Sequence, residues 1–129
     1  MIIGTKALAV GTLILGAVAV TGCDPETIAK VQAAQQAANA AAAERFAESR
    51  TWAAGAGPVR VRMCESRDNY AINTGNGYYG AWQFDYPSWH ANGGGEFAAY
   101  PHKASKDQQD FVAWTYWKKA GWRPWSCKP

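Results

Sequence analysis

The placement of the aromatic residues constrains the fold of this chain more than any other feature. Of its 17 aromatic residues, only Phe46 and Trp52 precede residue 59, and the other 15 lie in residues 59–129. Aromatic side chains bury large apolar areas, so the segment that holds them is the one able to form a core. Because that segment has only 71 residues, its core must be small. We therefore predict one small globular domain over residues 59–129.

Composition and charge exclude several classes of protein. Hydrophobic residues make up 48% of the chain and charged residues 18%, which excludes a wholly disordered chain. The globular segment carries nine Lys and Arg residues against six Asp and Glu residues. The resulting net charge of +3 is small and scattered along the segment, so it does not indicate a nucleic-acid-binding surface. We expect no nucleic acid among the partners.

The first 22 residues have the pattern of an export signal. Lys6 precedes an apolar stretch over residues 7–20, and a helix of that length spans roughly 21 Å, less than the hydrocarbon core of a bilayer. This favours a signal peptide over a membrane anchor. Val20-Thr21-Gly22-Cys23 resembles the bacterial lipobox, whose cysteine receives a diacylglyceryl group. We predict a lipid anchor on Cys23 that holds the protein at the outer face of the cell membrane, facing the cell wall. Ordinary secretory cleavage nearby and an uncleaved leader are the alternatives.

The cysteine count agrees with lipidation. Three cysteines in an exported chain leave one without a disulfide partner. With Cys23 acylated, Cys64 and Cys127 are free to form a bridge. That bridge would close a 63-residue loop and contribute about 4 kcal/mol in the chain-entropy model.

Composition divides the chain into three segments: a lipoprotein signal peptide over 1–22, a helical stalk and linker over 23–58, and the globular domain over 59–129. Residues 24–50 are rich in Ala and Gln, which favours a solvated helix. Two glycines and a proline in residues 51–58 mark its end. Trp52 has no evident place in this scheme.

Local signals in the domain predict a mainly α, α+β fold with one β-hairpin. Residues 59–68 are compatible with a helix that turns Val61, Cys64 and Glu65 inward. The glycines and the Asn-Gly pair of residues 73–80, followed by residues 81–84, predict the hairpin.

Helix boundaries follow from turn and capping residues. Pro87 opens a short helix that Asp85 caps and that the glycines at 93–95 end. Ser105 with Gln108 forms a capping box for a second helix, which runs to about residue 120. On it, three aromatic residues recur at helical spacing and are interpreted as core: Phe111, Trp114 and Trp117.

Glu65 is the residue with the strongest potential for catalysis. It precedes a Gly- and Tyr-rich loop that can form one wall of a cleft. Desolvation between aromatic side chains favours the neutral form of a carboxyl group, which suits a general acid. Trp, Tyr, Asn and Gln in the same stretch offer flat faces for sugar rings and amides for hydroxyl groups. The alternative is that Glu65 is an ordinary solvated surface charge.

Other kinds of site have weaker support. His90 and His102 lack the spacing of metal-binding motifs. No serine lies in a nucleophile-elbow pattern, and the glycines of residues 73–80 do not fit a phosphate-binding loop. We expect neither a metal nor a cofactor.

Several runs of residues closely resemble the catalytic domain of resuscitation-promoting factors, the transglycosylase-like family of actinobacteria and their phages. They cover the whole globular segment: Cys64-Glu65-Ser66, the run from Asn69 to Gly80, Gln83-Phe84, Trp89, Gly93-Gly94, Gly121-Trp122, Trp125 and Cys127. The resemblance implies a small lysozyme-like fold with a saccharide cleft. It also implies that Glu65 is the single catalytic glutamate and that Cys64 and Cys127 form a disulfide. The substrate-binding residues would be Asn73, Thr74, Asn76, Tyr78, Tyr79, Gln83 and Trp89.

The chain departs from this family at two places near the expected catalytic site. Arg67 and Asp68 stand where many relatives have two glycines, which adds an ion pair or a second carboxylate beside Glu65. Ala81-Trp82 replaces a glycine followed by an aliphatic residue, so the cleft floor is expected to be narrower.

The resemblance implies cleavage of the β-1,4 linkage between N-acetylmuramic acid and N-acetylglucosamine in peptidoglycan, with Glu65 as general acid and base. The product would identify a lytic transglycosylase or a muramidase, and Asp68 and Asp85 are the local second carboxylates for the latter. The alternatives are a non-catalytic glycan-binding module and a cell-envelope lipoprotein that blocks another wall enzyme. Expected partners are peptidoglycan glycan strands, the membrane through the lipid anchor, and other cell-wall hydrolases.

Overall fold

The computed structural model describes residues 24–129. The helices of this part of the chain are α1 Pro25–Arg45, α2 Ala47–Ala53, α3 Ala56–Ser66, α4 Tyr86–Ala91 and α5 Lys106–Ala120. Two short 3-10 helices, Gly94–Glu96 and Pro101–Lys103, lie between α4 and α5 in sequence. The domain is mainly helical, as predicted. The predicted leader and Cys23 lie outside the described residues.

Helix α1 begins at a side-chain cap, because Asp24 Oδ1 accepts a hydrogen bond from the Thr27 amide at 2.9 Å. None of its side chains is buried. The chain divides into two compact units after Gln36, and the second unit is Ala37–Pro129. In residues 24–129, no helix is both long enough and apolar enough to span a membrane. The stalk remains a prediction.

Helix α2 packs on α5 within the second unit. Its inward positions and the residue before it are buried, namely Phe46, Ser49 and Ala53. The Phe46 ring lies 5.9 Å from the Phe97 ring and 5.5 Å from the Phe111 ring, measured between centroids. Residues that precede position 59 therefore contribute to the core of this unit.

Helices α3 and α5 supply much of the core. Its most deeply buried apolar residues, each at most 1% exposed, are Ala53, Val61, Ala81, Trp82, Trp89, Val112 and Ala113. The prediction that Phe111, Trp114 and Trp117 form the core is wrong in part, because these side chains are only half-buried. Helix α5 instead turns a neighbouring stripe inward, which contains Gln109, Asp110, Val112 and Ala113.

The predicted helix caps are confirmed. Ser105 Oγ accepts a hydrogen bond from the Gln108 amide at 3.3 Å, and Gln108 Oε1 accepts one from the Ser105 amide at 2.9 Å. At the start of α4, Asp85 Oδ1 accepts a hydrogen bond from the Ser88 amide at 2.8 Å. These bonds satisfy amides that have no partner inside the helix.

The predicted β-hairpin is not confirmed. Residues 73–84 form two isolated antiparallel bridges, Asn73 with Tyr79 and Tyr79 with Phe84. Asn73 Oδ1 accepts a hydrogen bond from the Gly75 amide at 3.1 Å, and Asn76 Oδ1 accepts one from the Tyr78 amide at 3.0 Å. Since asparagine side chains bind these amides, the loop folds as consecutive turns instead of a ladder.

A buried carboxylate joins α5 to the turn at residues 81–84. Asp110 has no exposed surface and accepts hydrogen bonds from the Tyr70 hydroxyl at 2.7 Å, the Trp82 indole at 2.9 Å and the Lys106 ammonium at 2.7 Å. Burial and the hydrogen bond to Asp110 raise the pKa of Tyr70, so its hydroxyl remains a donor. This network holds the indole nitrogen of Trp82, at one edge of its ring.

Candidate active site

Glu65 lies in the last turn of α3, where it is half-buried. Its Oε1 accepts a hydrogen bond from the backbone amide of Cys127 at 2.9 Å. A side chain held by a backbone group has fewer accessible rotamers than a free surface glutamate. The carboxyl group is therefore oriented before any ligand binds.

The predicted disulfide is confirmed and lies beside Glu65. Cys64 and Cys127 are bonded, with their Cα atoms 6.0 Å apart. The bridge ties the end of α3 to the C-terminal segment, which places the Cys127 amide within reach of the Glu65 carboxyl. Cys64 was predicted to face inward, but it is exposed, because its partner lies in a surface segment.

Helix α3 ends in two residues with left-handed backbone. Arg67 has φ 58° and Asp68 has φ 60°, and both amides bond back to α3 carbonyls at 3.1 Å. Glycine adopts this conformation without steric cost, so this chain holds other residues at two positions that favour glycine. The departure adds an ion pair: Asp68 Oδ1 lies 2.6 Å from Nε of Arg62, whose side chain is only 4% exposed.

Replacing Asp68 by Asn should destabilise the protein. The change leaves the buried Arg62 without its countercharge, and a hydrogen bond to a charged group contributes about 1.5–3 kcal/mol. Thermal and urea denaturation would measure the loss. Arg67→Gly is the control. Glycine suits the left-handed backbone at position 67, and Arg67 takes part in none of the ion pairs found in residues 24–129. An unchanged melting temperature for Asp68→Asn would contradict this role.

Ser66 connects α3 to the floor of the site. Its hydroxyl donates to the Ala81 carbonyl at 2.8 Å and accepts from the Asn69 amide at 3.2 Å. On the side of α5, Gln109 Oε1 accepts a hydrogen bond from the Ala81 amide at 3.1 Å. Gly80 has φ 72°, and a Cβ there would collide with the Gln109 side chain. The turn at residues 80–84 is thus fixed from α3 and α5 together.

Glu65 opens onto a cleft of ≈ 300 Å³, at the lower end of the range typical of ligand pockets. Four residues predicted for the site line it: Glu65, Asn76, Tyr78 and Gln83. The cleft is completed by Trp82, Phe84, Asp85, Ser88, Tyr116, Pro124, Trp125 and Ser126. Amide, hydroxyl and aromatic groups thus surround the oriented carboxyl group of Glu65, and Asp85 supplies a second carboxylate.

Four residues predicted to bind substrate do not line this cleft: Asn73, Thr74, Tyr79 and Trp89. Trp89 lies in the core, where its ring has no exposed surface and its indole donates to the Ala98 carbonyl at 2.8 Å. Tyr79 stacks on His102 and contacts Tyr100, with centroids 5.3 and 5.1 Å apart. Asn73 shapes the loop through its bond to the Gly75 amide.

Several residues of the cleft could not be predicted from the sequence. Tyr116 comes from α5 and Ser88 from α4, and no local pattern predicts that these helices meet at Glu65. Asp85 is both the cap of α4 and a second carboxylate of the cleft, whereas Asp68 does not line it. Two signals were available for the C-terminal wall: Trp125 in the family resemblance, and the predicted Cys64–Cys127 bridge, which brings this segment to Glu65.

Metal ligands do not cluster in residues 24–129: no group of three or more His, Cys, Asp or Glu side chains there could hold a metal ion.

Comparison with known proteins identifies relatives of the chain. The transglycosylase-like domain family matches residues 58–128, more than half of the chain. Resuscitation-promoting factor Rpf1 of Corynebacterium glutamicum is 44% identical over 93 residues, which cover 72% of this chain and 48% of that protein. Resuscitation-promoting factor Rpf of Micrococcus luteus is 46% identical over 66 residues, or 51% of this chain and 28% of the relative.

A third relative, resuscitation-promoting factor RpfE of Mycobacterium tuberculosis, is 45% identical over 65 residues, or 50% of this chain and 36% of that protein. The chain spans about half or less of the length of these relatives. The matched residues 58–128 contain Glu65, both bridged cysteines and every residue that lines the cleft, whereas α2 precedes them. The family predicted from the sequence is confirmed: the chain belongs to the transglycosylase-like domain family and is similar to resuscitation-promoting factors.

Proposed function

We propose that this protein cleaves the β-1,4 linkage between N-acetylmuramic acid and N-acetylglucosamine in peptidoglycan, as a lytic transglycosylase. The observation that carries the proposal is the placement of the Glu65 carboxyl group. It lines the cleft, and its Oε1 accepts a hydrogen bond from the Cys127 amide. Family membership supports the reaction class. The aromatic and amide side chains of the cleft support a saccharide as the ligand.

In the proposed mechanism the two oxygens of Glu65 have different roles, which the hydrogen bond to the Cys127 amide supports. An amide donates to a lone pair, so in the neutral carboxyl group Oε1 is the carbonyl oxygen and Oε2 carries the proton. That proton passes to the glycosidic oxygen as the bond from C1 of the muramic sugar breaks. The leaving N-acetylglucosamine takes the bonding electrons and becomes a neutral alcohol, while C1 acquires oxocarbenium character.

The second half of the reaction uses the same residue as a base. The acetamide oxygen of the muramic sugar traps C1, and the ionised Glu65 then accepts the proton of the 6-hydroxyl group. O6 attacks C1, the acetamide leaves, and a 1,6-anhydro sugar results. Glu65 ends protonated, so the cycle closes with one carboxyl group and no water.

Side chains around Glu65 provide surfaces for the sugar rings. Tyr78 is 48% exposed and lines the cleft, so its ring can stack on a pyranose face. Asn76 and Gln83 also line this space, and each makes one hydrogen bond within the loop. Asn76 Oδ1 accepts a hydrogen bond from the Tyr78 amide, and Gln83 Nε2 donates one to the Gly80 carbonyl at 3.1 Å. Their remaining donor and acceptor atoms are the groups available to sugar hydroxyls.

Digestion of purified peptidoglycan tests the proposal. Soluble fragments that end in anhydro sugars, identified by their mass, would support a lytic transglycosylase. Fragments with reducing ends, heavier by one water molecule, would instead identify a muramidase. Binding of glycan strands without soluble products would favour the non-catalytic binding module, and the absence of both would contradict the proposal.

Asp85→Asn separates the two enzyme mechanisms. Asp85 and Glu65 are the carboxylates that line the cleft in the described part of the chain. Asparagine also caps helices well, so the bond to the Ser88 amide should persist while the charge is lost. We expect the variant to keep most of its activity, measured as release of soluble fragments. A loss of roughly a hundredfold or more would contradict the single-carboxylate mechanism and assign Asp85 as the base or nucleophile of a hydrolase.

We also propose that Cys23 carries a lipid anchor at the outer face of the cell membrane and that the substrate is reached in the cell wall. Cys23→Ala should move the protein from the membrane fraction to the soluble fraction, because the acyl chains provide the membrane affinity. Immunoblots of fractionated cells would measure the change. The fragment of residues 24–129 should still release soluble products. A Cys23→Ala protein that stayed membrane-bound after processing of the leader would contradict lipidation.

A further inference from the structure

Trp52 of α2 packs against tryptophans that belong to the family domain, although α2 lies outside the matched residues 58–128. Its ring is nearly parallel to the ring of Trp82, with centroids 5.1 Å apart and an angle of 16°. It is also nearly parallel to Trp122, at 5.7 Å and 17°, and it contacts Trp117 at 5.4 Å. One side chain from the preceding helix thus contacts three indole rings of the domain.

Two of these contacts lead directly to the cleft. Trp82 lines the cleft and is only 1% exposed. Trp122 contacts Trp125, another cleft residue, with centroids 5.6 Å apart. The Trp125 indole also donates to the Trp82 carbonyl at 3.1 Å. Trp52 therefore supports both tryptophans of the cleft, one by direct contact and the other through Trp122.

Trp82 makes three other polar or aromatic side-chain contacts within residues 24–129, and none of them is the stacked contact that Trp52 provides. Its indole nitrogen donates to Asp110, the Arg62 guanidinium lies 5.0 Å from its ring centroid, and the tilted Trp125 ring lies 5.7 Å away. Protein interiors are close-packed, and a void left by a deleted ring is filled by movement of its neighbours. Loss of the Trp52 ring would let Trp82 and Trp122 shift away from the cleft.

Other contacts hold the Trp52 segment in place. Arg45 pairs with Glu96 at 2.8 Å, and Arg50 pairs with Asp107 at 2.5 Å. Phe46 is buried against two phenylalanine rings, at a location separate from the tryptophans. Because the two ion pairs are independent of both rings, shortening either the Trp52 or the Phe46 side chain should leave α2 docked on the domain.

We propose that Trp52 is a positioning residue for the saccharide cleft, so that the functional catalytic unit includes α2 in addition to the residues of the family match. This inference rests on the proposed function, because the cleft that Trp52 shapes is the one that would bind the glycan strand. Trp52 acts on the cleft wall behind the exposed side chains, at Trp82 and Trp125, and does not touch the reacting bond. Its removal should therefore change the Michaelis constant more than the turnover number.

The test compares Trp52→Ala with Phe46→Ala in the full chain. Both substitutions delete a ring from the same segment, and both should lower the melting temperature. At a temperature where both variants are fully folded, Trp52→Ala should raise KM for solubilised glycan strands by about tenfold, while Phe46→Ala should leave it within about twofold. Trp52→Phe should restore part of the loss. The indole NMR signal of Trp82 should shift in Trp52→Ala and stay unchanged in Phe46→Ala.

Equal KM values in the two alanine variants would overturn the inference and leave Trp52 as a purely structural residue. If the wild-type protein released no soluble fragments, the proposed reaction would fail, and titration with an oligosaccharide of N-acetylglucosamine would then decide the role of Trp52. Weaker binding confined to Trp52→Ala would still support the inference. Equal binding by both variants, or no binding by the wild type, would overturn it.

Discussion

Glu65→Gln should abolish glycan cleavage while the protein keeps its fold and its affinity for glycan strands. An amide has no proton that it can transfer to the glycosidic oxygen, and loss of a general acid lowers the rate by roughly a hundredfold or more. In the proposed mechanism the same group also accepts the proton of the 6-hydroxyl, so both halves of the reaction should fail. Release of soluble fragments from peptidoglycan measures the loss, and binding to insoluble peptidoglycan measures the affinity.

The structure explains why the fold should survive this substitution. Glutamine keeps a carbonyl oxygen at Oε1, which can still accept the Cys127 amide. Glu44→Gln is the matched control, since it makes the same chemical change at an exposed position of α1. We expect the control to cleave like the wild type. Cleavage by Glu65→Gln at the wild-type rate would overturn the catalytic assignment.

The parts of the fold that depend on neighbouring residues could be predicted from the sequence. The cap of α4 at Asp85 and the capping box of α5 at Ser105 each involve residues three apart, and both are confirmed. The Cys64–Cys127 bridge followed from parity and family resemblance. These features need no knowledge of how distant segments pack.

The parts that depend on tertiary packing could not be predicted. Trp89 has a flat indole ring with a polar N–H group, as aromatic residues that stack on sugars often do. Its ring is nevertheless fully buried and meets the Phe84 ring edge to face. Trp52 was unplaced because its partners lie 30 residues or more away in the chain. Tryptophan suits a core and a sugar site equally well, so residue type alone did not separate the two roles.

The hairpin illustrates a competition between two local structures. Glycines and the Asn-Gly pair of residues 73–80 favour a reversal of the chain, and the chain does reverse there. However, the side chains of Asn73 and Asn76 bind backbone amides that a β-ladder would require. The same turn-forming residues therefore produced a loop of consecutive turns beside the cleft in place of two strands.

Removal of the disulfide should cause the largest loss of stability among the changes considered. The bridge closes a 63-residue loop, and the chain-entropy model assigns such a bridge about 4 kcal/mol, a large share of the 5–15 kcal/mol typical of folded proteins. Cys127→Ser, or reduction of the wild type, should therefore lower the melting temperature markedly. Thermal denaturation with and without a reductant measures the effect.

Catalysis should respond to this change before the protein unfolds. The Cys127 amide is the group that orients Glu65, and the disulfide is the covalent link that holds this amide beside α3. Without the link, the C-terminal segment gains conformational freedom. The Cys127 amide is then no longer held where it donates to the Glu65 carboxyl, and the carboxyl group is less well oriented. We expect glycan cleavage by Cys127→Ser to fall at temperatures where its circular dichroism is still native. The double variant Cys64→Ala/Cys127→Ala is the control for the reductant, because it has no bridge to reduce and should melt at one temperature under both conditions. A wild-type melting temperature that did not change with reductant would contradict the stabilising role of the bridge.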